Sequence, residues 1–262
     1  YNSKQHEILT GVVTRIDPRT GNASLRIGTG TEATDAILLA GEQVKGETLI
    51  EGQRIKVYLV DVRRQSRGPQ VVISRTHPGL VKRLFELEVP EIYDGTVEIK
   101  AIAREAGSRT KIAVKSNDAN VDPVGACVGL NGSRVNSIVS ELKGEKIDII
   151  NWDDNPAYLI ENALSPAKVI CVVADEEERE AQVIVPDYQL SLAIGKEGQN
   201  ARLAARLTGF KIDIKSETQA REMGLFEQMG LQYGDTSSEN YEEEQEEPES
   251  YQEYEENYQE DG

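Results

Sequence analysis

Two pairs of glycines are the residues whose type and spacing point most directly to chemistry. Each pair encloses two residues, in the segments Gly129–Gly132 (GLNG) and Gly195–Gly198 (GKEG). Because glycine has no side chain, a sugar-phosphate backbone can approach such a turn closely. Backbone N–H groups at the start of a following helix would then face the phosphate. Each segment is a candidate site for a nucleic-acid backbone, although a single pair of glycines would more simply close a helical hairpin.

The sequence around these glycines is repeated. Residues 128–150 and 194–216 both run from an apolar residue through G-x-x-G, a helical segment and a further glycine to the string K-I-D-I. The glycine pairs lie 66 positions apart and the K-I-D-I strings lie 65 apart. A shared order of elements is a stronger signal than a shared tetrapeptide. The repetition therefore favours nucleic-acid binding over hairpin closure for both segments.

Local patterns assign helices and strands to each copy. Four apolar residues from Val135 to Leu142 recur on one helical face, with Ser133 as the predicted N-cap and Gly144 as the predicted stop. Each K-I-D-I string alternates polar and apolar residues, as a half-buried strand does. The order in each copy is helix, strand, strand, helix, GxxG, helix, strand. The predicted helices before the loops are 80–88, 123–128, 156–164 and 187–194, and the predicted strands are 97–103, 110–116, 168–174 and 180–185.

Helix–GxxG–helix is the arrangement with which KH domains hold single-stranded nucleic acid, with the bases in an apolar groove beside a strand. We expect phosphates at both loops. Apolar edges near Ile147, Ile149, Ile212 and Ile214 would flank the bases, unless these isoleucines are simply core. Neither loop is rich in positive charge, so modest affinity and strong salt dependence are expected. The predicted RNA-binding residues are Gly129, Leu130, Asn131, Gly132, Ser133, Arg134, Gly195, Lys196, Glu197, Gly198, Gln199, Asn200 and Arg202.

The first 76 residues predict a small β-barrel of the OB type, a fold that commonly binds oligonucleotides. Its five strands are predicted at 8–16, 22–27, 35–39, 54–62 and 70–74, and the turn before the last strand is Arg67-Gly68-Pro69. OB domains that bind single strands usually stack bases on aromatic side chains. Residues 1–76 contain only Tyr1 and Tyr58. A spacer or backbone-contacting role is therefore as well supported for this barrel as base stacking.

The net charge of −17 is unevenly distributed. Residues 235–262 contain 13 acidic residues and no lysine or arginine, whereas residues 1–76 contain 11 basic and 8 acidic residues. Because binding responds to local patches, the total charge does not exclude a nucleic-acid partner. The acidic segment cannot bury enough apolar surface to fold, so we predict disorder there. A flexible polyanion of this kind could also compete with RNA for a basic face.

Several other classes of protein are disfavoured. The longest apolar run, Val169 to Ala174, is far shorter than a membrane-spanning helix, which needs about 20 residues. Cys127 and Cys171 are too few for a disulfide scaffold and are predicted to be buried, and with two histidines a zinc site is not expected. No Walker A or dinucleotide fingerprint is present, because Glu197 stands where Ser or Thr must bind magnesium and Ala33 replaces the last glycine. No catalytic set, cofactor or metal is predicted.

The chain resembles the C-terminal portion of the NusA family of bacterial transcription elongation, termination and antitermination factors. The resemblance covers most of residues 8–217 and rests on VYLVDVRRQSRGPQVVISRTHPGLVKRLFELEVPEI, DPVGACVGLNGSRV and IGKEGQNARLAARLTGFKIDI. It implies a multidomain chain: an all-β S1 barrel of OB type, two α+β type II KH domains and a disordered acidic tail. The expected ranges are 1–76, 77–155, 156–221 and 222–262.

The family resemblance implies binding to nascent single-stranded RNA and association with RNA polymerase and other elongation factors. The N-terminal polymerase-docking domain of the family is expected to be absent from this chain, so strong docking to the polymerase is not expected of it. A cytoplasmic, monomeric, non-enzymatic protein that does not bind a membrane is expected. The alternative is an accessory RNA-binding module of a ribonuclease or a ribosome-associated protein. In phosphorolytic exoribonucleases, however, KH precedes S1 and a large catalytic region comes first.

Overall fold

The structure, a computed structural model, describes residues 1–230. The predicted acidic tail, 222–262, lies mostly outside the described residues. Its first part, 222–230, contains the short helix Leu225–Gln228.

The N-terminal unit is a closed five-stranded barrel, which confirms the predicted OB-type fold. The strands are β1 (Ile8–Ile16), β2 (Ala23–Ile27), β3 (Thr34–Leu38), β4 (Arg54–Gln65) and β5 (Gly68–Ser74). Around the barrel the strand order is β1-β2-β3-β5-β4, and only the β3–β5 pair is parallel. Inward-facing residues alternate with outward-facing ones, and Leu25, Leu38, Val57 and Ile73 fill the interior.

The predicted turn between the last two barrel strands is wrong in one respect. Gly68 and Pro69 belong to β5, where they pair with Gln65 and Arg64 of β4. Pro69 has no N–H group to donate, and it is the second residue of the strand, next to the turn of the hairpin. The hairpin is therefore longer than the Gly-Pro pair suggests.

The first KH unit follows the barrel. It contains α1 (Pro78–Glu88), α2 (Pro90–Tyr93), β6 (Val97–Glu105), β7 (Arg109–Ser116), α3 (Pro123–Val128), α4 (Ser133–Glu141) and β8 (Lys146–Asn151). The sheet order is β6-β7-β8, antiparallel between β6 and β7 and parallel between β7 and β8. Helix α4 packs on this sheet with Ile138, and Leu142 just past its end is also buried, as the periodicity predicted. The N-cap prediction is wrong, because Gly132 caps α4 and Ser133 is its first residue.

The second KH unit repeats this topology, which confirms two α+β KH domains. It contains α5 (Pro156–Ala163), β9 (Cys171–Asp175), β10 (Glu180–Val185), α6 (Leu190–Ile194), α7 (Gln199–Thr208) and β11 (Lys211–Ser216). Its sheet order is β11-β10-β9, with β10 and β11 parallel. The predicted helix 187–194 begins as a 3-10 turn over Asp187–Gln189. Two short helices, α8 (Glu217–Glu222) and α9 (Leu225–Gln228), complete the described chain.

The three units share their cores. Tyr58 of the barrel packs in one apolar cluster with Leu80 and Phe85 of α1, and its ring stacks on His77 with centroids 4.6 Å apart. Ala113 of β7 packs in another cluster with Leu203 of α7. Because buried apolar surface crosses both junctions, the relative positions of the two GxxG loops are set by packing.

A buried arginine reinforces the first junction. Arg75, which is 1% exposed, donates to Glu47 Oε1 at 2.6 Å within the barrel. It also donates to the Lys56 carbonyl at 2.8 Å and to Glu141 Oε1 of α4 at 3.4 Å. A buried guanidinium needs such partners for its donors, so barrel and first KH unit are joined by polar as well as apolar contacts.

Candidate nucleic-acid interface

The two GxxG loops have the same backbone conformation. Each joins two helices, α3 to α4 in the first unit and α6 to α7 in the second. The first glycine of each is at φ 75°, ψ 174° or φ 79°, ψ 169°. The residue before the last glycine is left-handed in both, Asn131 at φ 53° and Glu197 at φ 55°. Two sequences that share only the glycines therefore form one shape.

The first glycine of each loop is required by close approach as well as by its positive φ. A Cβ on Gly195 would lie 2.7 Å from the backbone nitrogen of Asn200, and a Cβ on Gly129 would lie 2.7 Å from Arg134 Cγ. The last glycine has more room, since the nearest atom to a Cβ on Gly198 is Arg202 Nη1 at 4.0 Å. The first glycine thus lets the next helix begin directly against the loop.

Each loop presents free N–H groups. Within residues 1–230, the N–H groups of Leu130 and Asn131 have no acceptor, and neither do those of Lys196 and Glu197. They lie just before helices α4 and α7, whose first turns carry partial positive charge. Free donors at such a position form an anion-binding surface. This geometry suits a phosphate of a nucleic-acid backbone.

In the first loop, the side chains that face solvent are uncharged. Leu130 is 84% exposed, and Asn131 and Ser133 are also exposed. Arg134 is turned away from the loop tip, because its Nη1 donates to Glu91 Oε2 at 2.8 Å and to the Ala126 carbonyl at 2.7 Å. Its charge is therefore balanced by Glu91, and the role predicted for it in RNA binding remains a prediction.

In the second loop, Lys196 is exposed and forms no ion pair within residues 1–230. Arg202 is engaged elsewhere, since its Nη2 lies 2.6 Å from Glu105 Oε1 of the first KH unit. Its Nη1 donates to the Glu197 carbonyl at 3.0 Å and so supports the loop from behind. Gln199 Nε2 donates to Ser108 Oγ at 2.6 Å. Arg202 and Gln199 therefore fasten the loop to its neighbour, while Lys196 remains available.

Asn200 is buried rather than presented to solvent. Its Nδ2 donates to the carbonyls of Leu164 and Ala193 at 3.0 and 2.9 Å. Its Oδ1 is buried and has no partner among the described residues. The contact of Asn200 with RNA therefore stays a prediction.

Three residues of the first KH unit lie beside the second loop and were missed by the motif analysis. Ser108, Arg109 and Lys146 line a cleft of ≈ 520 Å³ together with Gly195 and Lys196. Ser108 lies in the turn between β6 and β7, Arg109 begins β7 and Lys146 begins β8. No local sequence signal could have placed them there, because the contact joins the two repeats.

The four isoleucines of the K-I-D-I strands are half-buried. Ile147 and Ile149 pack against the core of the first unit, and Ile212 and Ile214 pack against the core of the second. Both interpretations of these residues therefore remain open, since a half-buried side chain contributes to the core and still presents an edge.

The aspartates of the two K-I-D-I strings differ in surroundings. Asp148 accepts from Arg109 Nε at 2.7 Å and from Lys111 Nζ at 2.9 Å. Burial favours its neutral form, but the hydrogen bonds and charges of Arg109 and Lys111 outweigh burial and lower the pKa of Asp148. Asp213 is half exposed and lies 3.6 Å from Lys215.

The barrel offers little for stacking. Tyr58 is buried, and the Tyr1 hydroxyl donates to the carbonyls of Ile27, at 3.2 Å, and Glu32. Arg63, Arg64 and Arg67 are exposed, and Arg63 pairs with Asp61 at 3.5 Å. The arrangement suits backbone contact better than base recognition.

Both KH units match known domain families. Residues 75–152 match the NusA-like first KH domain, and residues 156–222 match the NusA-like second KH domain. The chain is 58% identical over 226 residues to "Transcription termination/antitermination protein NusA" of Bacillus subtilis (strain 168), covering 86% of this chain and 59% of that protein. The chain belongs to the NusA family.

Other NusA proteins give the same result. The NusA of Mycobacterium tuberculosis (strain H37Rv) is 56% identical over 221 residues, which cover 83% of this chain and 63% of that protein. The NusA of Thermus thermophilus is 49% identical over 215 residues, which cover 82% of this chain and 54% of that protein. The chain thus spans somewhat over half the length of these relatives. None of the helices within residues 1–230 combines the length and apolarity needed to cross a membrane.

Proposed function

We propose that the chain is the single-stranded RNA-binding part of a transcription elongation, termination and antitermination factor, which engages nascent RNA at RNA polymerase. The observation that carries the proposal is the doubled GxxG loop, with one backbone shape and free N–H groups at two helix starts. Membership of the NusA family supports the transcriptional role. The protein acts in the cytoplasm as a monomer and catalyses no reaction.

The mechanism follows from the loops. One phosphate lies against the N–H groups of Leu130 and Asn131, and another lies against those of Lys196 and Glu197. Backbone donors do not distinguish sequences, so the loops hold the strand and leave recognition to contacts with base edges. A duplex would not offer its bases to the grooves beside the strands, so extended single strands are preferred.

Sparse positive charge limits the affinity. Of the residues between the glycines, only Lys196 is a cation, and Glu197 is next to it. The slope of log affinity against log salt is expected to approach about −0.7 per neutralised phosphate for a single strand. The number of phosphates held can therefore be measured directly from the salt dependence.

Fluorescence anisotropy tests the proposal. Unstructured RNA is titrated with the full chain at two salt concentrations, with duplex RNA and single-stranded DNA as competitors. The variant with Leu130→Asp, Asn131→Asp, Lys196→Asp and Glu197→Asp should bind the RNA at least about tenfold more weakly, because it adds three carboxylates beside the phosphates and removes the ammonium group of Lys196.

A control that matches the two first-loop substitutions, Leu130→Asp and Asn131→Asp, adds the same charge away from both loops. Ala119 and Asn120 are exposed in the loop before α3, at the opposite end of that helix from the first GxxG. Aspartate at these two positions should leave the affinity nearly unchanged. Normal RNA binding by the folded four-aspartate variant would refute the proposal.

A further inference from the structure

The only two histidines of the chain lie together where the barrel meets the first KH unit. His6 Nδ1 is 3.0 Å from the Tyr58 hydroxyl, and the Tyr58 ring stacks on the ring of His77. Tyr58 belongs to β4 of the barrel and is 6% exposed, whereas His77 lies directly before α1. Two histidines from distant parts of the sequence are therefore held on one buried tyrosine.

His77 is the N-cap of α1. Its Nδ1 accepts a hydrogen bond from the Gly79 N–H at 2.9 Å, which satisfies a donor that the helix itself leaves unpaired. Only an imidazole without a proton on Nδ1 can accept this bond. Protonation would place one N–H group against another and add a positive charge at the N-terminus of α1, where the helix dipole disfavours it. The cap of α1 therefore depends on the neutral form of His77.

The capped turn is the part of α1 on which the barrel packs. A Cβ on Gly79 would lie 2.5 Å from Tyr58 Cζ, so the tyrosine ring rests directly on this backbone. Leu80, the next residue, is fully buried in the same apolar cluster as Tyr58. Because the first turn of α1 forms part of the junction, loss of its cap weakens the contact between the barrel and the helix.

The second KH unit has the same arrangement without a histidine. Helix α5, like α1, begins with a proline, and its N-cap is Asn155, whose side chain accepts from the Ala157 N–H at 3.0 Å. Asparagine carries no ionisable group, so its cap does not respond to pH. At equivalent positions of the two repeats, one cap can be protonated and the other cannot.

Charged and titratable groups surround His77 on both sides of the junction. They are Glu42, Tyr58 and His6 on the barrel side and Arg83 and Arg104 on the KH side. Arg104 donates to the His77 carbonyl at 2.9 Å, and Arg83 donates to the His6 carbonyl at 2.6 Å. Each arginine also forms an ion pair within its own unit. Glu42 is the one carboxylate among these five residues, so a protonated His77 would join a mainly positive group.

The pKa of His77 reflects these neighbours. Partial burial lowers this pKa from its usual value of 6.5, Glu42 raises it, and His6 and Arg104 lower it further, so that it ends below 6.5. The stability that neutral His77 contributes is therefore complete above pH 6.5 and is lost as the pH falls through the lower pKa of the folded state. The residue as a whole is still exposed to solvent, so a proton can reach the ring in the folded chain.

We propose that His77 makes the junction between the barrel and the first KH unit sensitive to pH. In neutral solution its imidazole caps α1, and the barrel is held against the first turn of that helix. In mild acid the cap is lost, and the contact of Tyr58 with this turn weakens. The junction between the two KH units contains neither histidine. Acid therefore loosens the barrel while the two GxxG loops keep their relative positions.

Amide exchange measured by NMR on the full chain tests the proposal. From about pH 7.5 to about pH 5, after correction for the intrinsic pH dependence of exchange, the protection of the Gly79 amide should fall about threefold to tenfold, as expected for a lost N-cap. The Ala157 amide, which Asn155 caps, should keep its protection. The nuclear Overhauser contact between the Tyr58 ring and the Gly79 α protons should weaken over the same range. A cap that titrates while this contact keeps its intensity would overturn the proposal.

The repeats supply matched variants. His77→Asn places the cap of the second unit in the first and should remove the pH dependence at Gly79. Asn155→His makes the reverse exchange and should give the Ala157 amide a similar pH dependence. His6→Gln removes the other histidine and should leave the response of Gly79 unchanged. Equal pH dependence in the unmodified chain and in the folded His77→Asn variant would refute the role of His77, and so would its loss in the His6→Gln variant.

Discussion

In the first repeat the GxxG loop exposes Leu130 and has no cation between its glycines. In the second repeat the loop carries Lys196 and lies beside residues of the other KH unit. The backbones of the two loops are the same within a few degrees. The glycines therefore determine the backbone conformation of each loop. The side chains around each loop depend on where its KH unit lies in the chain. Two copies of one motif can hold the same phosphate and still differ in what they add to it.

The strands that follow the loops show the same contrast. In the first unit Asp148 lies opposite Lys111, whose buried ammonium also donates to the Ser165 carbonyl at the start of the second unit. In the second unit Asp213 lies opposite Gln182. The aspartate of the first K-I-D-I string is therefore tied to the junction between the units, whereas Asp213 pairs only with Lys215 of its own strand among the described residues.

The largest expected difference between the repeats concerns these aspartates. Asp148→Ala would leave the buried Lys111 without its counter-charge, at a cost of about 3–5 kcal/mol in the free energy of unfolding. Asp213→Ala would remove a half-exposed pair and cost less than about 1 kcal/mol. Urea unfolding at neutral pH measures both, and equal losses would contradict the structural role assigned to Asp148.

The contribution of Asp148 to the stability of the chain should depend on pH. The pKa of Asp148 is lowered from its usual value of 3.8, so the stability from its charge is present above that pH. It is lost as the pH falls through the lower pKa of the folded state. The Asp148→Ala variant should therefore lose less stability between neutral pH and pH values below 3.8 than the unmodified chain loses.

The next largest effect separates the two glycines within one loop. Gly195→Ala combines a positive φ with a clash against the Asn200 backbone, so a loss of about 3 kcal/mol is expected. Gly198→Ala has the positive φ and no clash, so about 1 kcal/mol is expected. Thermal unfolding ranks the two variants. A Gly198→Ala variant less stable than Gly195→Ala would contradict the close approach described for the first glycine.

A smaller effect comes from moving the one loop cation. Lys196→Asn should weaken RNA binding about threefold at low salt, and Asn131→Lys should strengthen it by a similar factor or less, because the first loop does not line the cleft described for the second. Anisotropy titration of the two variants and of their combination gives both changes. If Asn131→Lys gains more than Lys196→Asn loses, the second loop has no advantage over the first.

The smallest effect is on thiol reactivity, with one cysteine in each KH unit. Burial raises the pKa of Cys127 to about 12, and burial also raises the pKa of Cys171, which is only half-buried. Alkylation of the folded chain at about pH 8 should therefore modify Cys171 first and leave Cys127 nearly intact until unfolding. Peptide mass spectrometry over time measures the order, and faster modification of Cys127 would contradict its burial.

The structural features that depend on residues close together in the chain could be predicted from sequence patterns. The apolar face of α4, the five barrel strands and the positions of both GxxG loops follow from local periodicity and glycine spacing. Helix α2, only four residues long, was not predicted, since one turn gives no periodic signal. The buried state predicted for both cysteines holds for Cys127 and only partly for Cys171.

Contacts between distant residues could not be predicted. Arg134 pairs with Glu91, 43 positions away, and its contact with RNA stays a prediction. Arg202 pairs with Glu105, 97 positions away. Only folding brings these groups together. A sequence motif shows that Arg134 and Arg202 are near the loops, but it does not show that Glu91 and Glu105 pair with them.

The buried Arg75 matters for anyone who wishes to dissect this protein into pieces. A cut after residue 76 would leave its guanidinium on the barrel fragment and its partner Glu141 on the other fragment. Tyr58 would lose the apolar cover of α1 at the same time. Each fragment would contain whole strands and helices, but the barrel fragment would carry a guanidinium that lacks one partner and an exposed apolar surface. If such fragments expressed poorly, that result would say nothing about what the intact chain binds.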